Sequence, residues 1–162
     1  MAKNKTTAEL GKFKEEIHSA LYKNEDICNL LFGDEIINSP SKKRELFKEH
    51  VKSHLFIDDT IQETGSYIFY DVVAPTIHSN TKNCYVYMYL ICHRDILDNY
   101  SKDGYFGNRA DILCQMVENA LINDTEVVNS FGIGELTLDS IDIYNATRFY
   151  GRYVRLGVPN FR

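Results

Sequence analysis

The chain has 162 residues, 44% of them hydrophobic and 25% charged, which suits one domain with one core and excludes wholesale disorder. Its formal net charge of −5 argues against a surface built for nucleic acid, which needs clustered Lys and Arg. The longest apolar stretch, Tyr85 to Cys92, is too short to span a bilayer.

From Thr7 to Leu21, apolar residues fall at Leu10, Phe13, Ile17 and Leu21, the spacing of one helical face. Asn24 caps a second short helix with Ile27, Leu30 and Leu31, stopped near Gly33. Ser39-Pro40 opens a third, short and charged, running to about Glu49. Lys42, Lys43 and Arg44 on it read as a solvated face. Val51 to Ile57 then reads as a strand. A β-branched and aromatic run follows from Tyr67 to Val73, ending before Pro75. Cys84 to His93 alternates cleanly, with Tyr85, Tyr87 and Tyr89 on one face and Val86, Met88, Leu90 and Cys92 on the other. The two runs predict an antiparallel hairpin with a dry face and a tyrosine-coated one. After a polar loop from Asp98 to Gly107, Asn108 caps a helix to about Ile122, with Asp111 at its third position. Gly132 and Gly134 open a strand from Glu135 to Asp139, which Ile141 and Ile143 can extend. The last strand runs from Arg148 to Val158, closed by Pro159. Helices, strands, one helix and strands again predict an α+β fold: a mostly antiparallel sheet with a packed helix, preceded by a helical N-terminal segment. The expected organisation is a single domain over 1–162, helical over 1–50, with the sheet-plus-helix core over 51–158.

Little in the sequence points to catalysis. His50 and His54 would share a face if both were helical, yet they lack the Glu of the metalloprotease motif and fall where helix gives way to strand. Cys92 and His93 are adjacent on a strand and so point to opposite faces, unlike a nucleophile and its base. Asp71, Asp111, Asp139 and Asp142 are carboxylates of the type a nuclease uses with Mg²⁺, but no spacing groups them. Gly132-Ile133-Gly134 precedes a strand, whereas phosphate loops precede helices. No catalytic, cofactor or metal residue is expected. Cys28, Cys84, Cys92 and Cys114 include no C-x-x-C pair, and Met-Ala-Lys-Asn-Lys-Thr-Thr at the start leads into no apolar run; together they predict reduced, buried thiols in a chain without an export signal.

The chain has 11 Tyr and 9 Phe but no Trp. Tyrosine suits both protein interfaces and partly wet sheet faces. The sites singled out for an interface are Tyr85, Tyr87 and Tyr89, and on the last strand Arg148, Arg152 and Arg155, since Tyr and Arg are enriched in such patches.

Several segments in order carry a resemblance. A strand leads into His93-Arg94-Asp95-Ile96-Leu97, and Gly107-Asn108-Arg109-Ala110-Asp111-Ile112 opens a helix after the Gly104 loop. Phe131-Gly132-Ile133-Gly134-Glu135-Leu136-Thr137-Leu138 opens a strand, and Tyr150-Gly151-Arg152 lies in the last one. With the upstream strand from Tyr67 to Val73, this succession over about residues 51–158 resembles tailed-bacteriophage neck and tail proteins of the tail-terminator, tail-completion or head–tail-joining type. The resemblance implies a non-enzymatic virion protein, assembled in the host bacterial cytoplasm. Its partners would be further copies of itself in a ring, expected to be a hexamer, with tail-tube and neck or connector proteins beside it. No membrane contact and no sequence-specific nucleic-acid binding are expected. Two other readings stay open: a small metal-dependent phage nucleic-acid enzyme, and a non-enzymatic regulatory binding module. The helical N-terminal segment departs from the pattern.

Overall fold

In a computed structural model of the chain, which describes residues 6–33, 39–55, 64–77, 82–123 and 136–158, three helices come first: α1 (Thr6–Lys23), α2 (Glu25–Phe32) and α3 (Pro40–His50). A two-residue β1 (Val51–Lys52) leads to the long hairpin β2 (Ser66–Ile77) and β3 (Lys82–His93). A 3-10 turn (Arg94–Ile96) and a loop precede α4 (Arg109–Glu118), which ends in a π turn (Asn119–Asn123). β4 (Thr137–Asn145) and β5 (Phe149–Val158) complete a five-stranded sheet of order β1-β2-β3-β5-β4. β1 pairs in parallel with β2, and the other neighbours are antiparallel. This is the α+β fold that the sequence predicts, helical N-terminal segment included.

Local chemistry sets the helix starts. The Asn24 side chain accepts a hydrogen bond from the Ile27 N–H at 3.0 Å, which begins α2. At α4 the capping is reciprocal: Asn108 Oδ1 accepts from Asp111 N at 3.0 Å, and Asp111 Oδ2 accepts from Asn108 N at 3.1 Å. Gly107 just before it has φ +98, and a Cβ there would meet Asp111 Oδ2 at 2.6 Å, so glycine leaves room for the returning carboxylate. Ser39 makes no capping bond through its side chain, and α3 starts on its proline alone.

One sheet face carries the main core. Ile68, Tyr70, Val72, Val86, Met88, Leu90, Val154 and Leu156 pack there against Phe13, Ile17 and Leu21 of α1, Ile27 and Leu30 of α2, and Leu113, Met116 and Val117 of α4. The Tyr70 hydroxyl donates to the Lys14 carbonyl at 3.1 Å, so even the buried phenol is satisfied. The loop before α4 is tied to α2: Tyr100 OH donates to Asn29 Oδ1 at 2.8 Å, and Lys102 Nζ and Tyr105 OH reach the Asp26 carboxylate at 2.7 and 2.9 Å.

Several boundaries differ from expectation. The strand from Val51 stops at Lys52, because the chain bends at Ser53 and His54, where Lys14 Nζ holds the Ser53 carbonyl at 3.0 Å. β2 does not end before Pro75. It passes through the proline to Ile77 with a register shift between Val73 and Thr76, an irregularity that accommodates a residue with no N–H to donate. The last strand begins at Phe149, leaving Arg148 in the turn. Ile57, Gly132, Ile133, Gly134, Glu135 and Pro159 lie outside the described residues.

Three substitutions test this architecture. Asn108→Ala removes the α4 cap and is expected to lower stability by about 1 kcal/mol in a denaturant titration. The same glycine-to-alanine change should have opposite signs at two sites. At Gly151, whose Cβ would meet the Leu90 carbonyl oxygen at 1.9 Å, it should destabilise by about 1–3 kcal/mol. At Gly11, exposed inside α1 with nothing within 4 Å, it should stabilise by about 0.5–1 kcal/mol.

Candidate functional site

Strand alternation sends a second set of side chains to the face opposite the main core. At the β1 end of that face, Tyr67, Phe69, Ile91 and Phe149 form a separate buried cluster made only of strand residues. Beyond it lies a half-exposed layer of tyrosines. Tyr153 of β5 is its centre, stacked on Tyr89 at 4.6 Å and on Tyr87 at 5.8 Å between ring centroids. Tyr144 of β4 meets Tyr89 edge-on at 5.2 Å, and Tyr85 lies 6.3 Å from Tyr87. The Arg155 guanidinium stands 5.2 Å from the Tyr85 ring centroid. Its Nε is buried without a hydrogen bond, 4.0 Å from Asp139 Oδ2. Burial raises the Tyr153 hydroxyl above the ordinary tyrosine pKa, and the neighbouring tyrosines Tyr89 and Tyr87 add to the shift. Two carboxylates flank this layer: Asp71, the register partner of Tyr87, which is paired with Lys14 at 2.7 Å, and Asp142, the register partner of Tyr153.

The six residues singled out from sequence therefore divide. Tyr85, Tyr87, Tyr89 and Arg155 share the open aromatic face. Arg152 points to the helix side, where its Nη2 and Nε donate to Asp111 Oδ1 at 3.0 and 3.2 Å and tie β5 to the start of α4. Arg148 is exposed in the β4–β5 turn, and its carbonyl accepts from Arg94 N at 2.8 Å. Tyr144 and Tyr153 escaped the sequence reading. The alternation of β5 sets Tyr153 beside Arg155, but strand order alone brings it against Tyr87 and Tyr89.

The candidates for chemistry are dispersed. α3 ends at His50, so His50 and His54 do not share a helical face. His50 stacks on Tyr67 at 5.0 Å with Nδ1 2.7 Å from the Ser66 carbonyl, while the His54 ring is 6.4 Å from Phe69. His93 packs edge-on against Phe149, and its Nδ1 accepts from Asp95 N at 3.1 Å. Cys92 is buried in the interior. Asp71 is paired with Lys14 at 2.7 Å and Asp111 with Arg152, on opposite faces of the sheet. Among the described residues, no three His, Cys, Asp or Glu side chains form a group that could hold a metal ion. No helix among them is long and apolar enough to cross a membrane.

A second surface was not foreseen. Between α4 and β4 runs an apolar groove of about 440 Å³, walled by Cys114, Val117, Leu138, Ile141 and Leu156, with Phe106 at its margin.

The model of the protein family YomW matches residues 24–158, from the cap of α2 to the end of β5. A search among curated proteins finds no match.

Cys28, Cys84 and Cys92 are buried as expected, whereas Cys114 is only half-buried because its helix face forms a wall of the groove; the four thiols make a direct test of these placements. Burial pushes Cys84 and Cys114 up to about 12 and Cys92 up to about 11, and raises Cys28. A nucleophilic cysteine needs the opposite shift. In folded protein at pH 8, Cys28, Cys84 and Cys92 should resist iodoacetamide, with any slow labelling confined to Cys114, whereas denatured protein without reductant should take up four labels by mass, one per free cysteine. Rapid labelling of Cys92 in the folded state would contradict this placement.

Proposed function

Because the chain belongs to the YomW family, a phage-associated one, we propose that it is a structural virion protein of a tailed phage. In this reading it is a ring-forming subunit at the head–tail junction, either a tail terminator or an adjacent neck or connector protein, and not an enzyme. The observation that carries the reading is the open aromatic face. Five tyrosines and one arginine are already ordered against one another there, on a rigid sheet. Side chains held in place before contact lose little further entropy on docking, and Tyr and Arg are the residues that dominate the buried centres of interfaces. The cations at this face, Lys14 and Arg155, stand against Asp71 and Asp139 and so form no cluster for phosphate; the proposed counterpart is a protein of the virion. No observation favours the nuclease reading, since the four aspartates that would serve it stand apart and two are committed to Lys14 and Arg152.

Tyr87→Glu tests the reading. The new carboxylate would lie opposite Asp71 and beside Tyr153, at a cost of roughly 3 kcal/mol or more once a partner excludes water. The isolated variant should keep a near-native circular dichroism spectrum, while phage carrying it should accumulate unjoined heads and tails. A normal yield of infectious particles would remove this face from the interface. If purified virions contain no copies of the protein, the structural reading fails altogether.

A further inference from the structure

The two edges of the sheet are unlike. β4 closes one edge, and on its helix side Leu138, Ile141 and Ile143 are 37%, 48% and 64% exposed. Across the groove, Phe106 is 77% exposed. These are four of the five exposed large apolar side chains among the described residues. Phe106 is not on a loose loop: Gln115 Nε2 donates to its carbonyl at 2.6 Å and Gln115 Oε1 accepts from its N–H at 3.1 Å. An aromatic ring in water on a backbone pinned at both polar groups is presented, ready to anchor a contact. The edge of the strand is only partly protected. It contains no Lys and no Pro, and its register shift lies between Leu138 and Ser140, leaving the stretch from Ile141 to Asn145 regular. Its own charges are Asp142, on the tyrosine side, and Asp139, 4.0 Å from Arg155; the groove wall adds Glu118 and the paired Asp111 and Arg152, which leaves the edge net acidic.

At the opposite edge, the short β1 follows directly on α3. There Lys42, Lys43, Arg44, Lys48 and Lys52 stand against Glu45 and Glu49. One edge is acidic and apolar, the other basic.

We propose that the β4–α4 edge of one copy receives the α3–β1 edge of the next, a head-to-tail contact between copies of this chain. Two β4 edges meeting about a two-fold axis would set Asp139 and Asp142 against their own kind, which like-charge pairing disfavours. A small apolar ligand would fill the groove but leave Ile143 and the strand edge uncovered. A contact between unlike edges repeats at each copy and closes where the rotation permits. The assignment rests on the ring reading above and names the surface that would make the ring.

The full-length protein tests it, both concentrated in solution and in assembled particles. With benzoylphenylalanine in place of Ile143, photolysis should join this position to the peptide spanning 40–52 of another copy. Asp142→Lys alone and Lys48→Glu alone should each weaken self-association about tenfold or more by sedimentation, and the two together should restore most of it. Cross-links from position 143 to β4 of another copy, or to a different virion protein, would overturn the proposal. So would rings that form unchanged with either charge reversal. In those cases the ring reading itself stands. A chain that stays monomeric at every concentration and is missing from particles would sink both.

Discussion

The position of α4 against the sheet depends on one guanidinium. Arg109 is the first residue of that helix, and its Nε donates to the Ser66 hydroxyl at 2.8 Å while Nη2 donates to the Leu30 carbonyl at 2.5 Å. Its backbone N–H reaches the Leu97 carbonyl at 2.8 Å, and its charge lies 5.1 Å from the Tyr100 ring centroid. One cation thus joins the start of β2, the C-terminal turn of α2, the preceding loop and the start of α4. The Leu30 carbonyl lies in the last turn of α2, where a helix leaves acceptors without partners and where the macrodipole favours positive charge. Ser66 is fully buried, so a vacancy at Arg109 would leave its hydroxyl short of this partner, at roughly 1–3 kcal/mol. Two residues on, Asp111 turns back to cap the helix and outward to bind Arg152 of β5. With both ends of this linkage fixed, the width of the groove between α4 and β4 is fixed too.

Two of the short segments that carry the resemblance, Gly107 to Ile112 and Tyr150 to Arg152, are parts of this linkage. Gly107 clears space for Asp111, Asn108 caps, Arg109 clamps, and Gly151-Arg152 brings β5 close to Leu90 and Asp111. Arg94 works likewise at the other end, where its side chain binds the Ala146 carbonyl and Asn145 and so pins the β4–β5 turn. These residues specify how the layers meet. They leave open which surface meets a partner.

The fold was legible because its signals are local: period-3.6 stripes in α1 and α2, strict alternation in β3, a capping box at α4. Where the prediction slipped, a long-range contact decided. Lys14 from α1 holds Ser53 at the bend that ends β1, and pairing with β3 carries β2 through Pro75. The site was legible by halves for the same reason. Tyr85, Tyr87 and Tyr89 share a face by alternation, but strand order alone reveals that Tyr153 and Tyr144 complete the layer while Arg152 turns away from it. The apolar edge of β4 gave no local sign, because Leu138, Ile141 and Ile143 read equally well as core residues until α4 is seen to leave them open.

The tyrosine layer also has an optical consequence. The chain contains no tryptophan, so light absorbed near 280 nm is absorbed mainly by tyrosine and its emission is that of tyrosine alone. With Tyr89, Tyr153 and Tyr87 stacked between 4.6 and 5.8 Å, excitation can hop among the rings before it is emitted. A tryptophan brought onto this face from outside would collect that energy and emit at longer wavelength. The face proposed as an interface is thus also an unlabelled donor array, whose emission would shift on contact with a tryptophan-bearing partner.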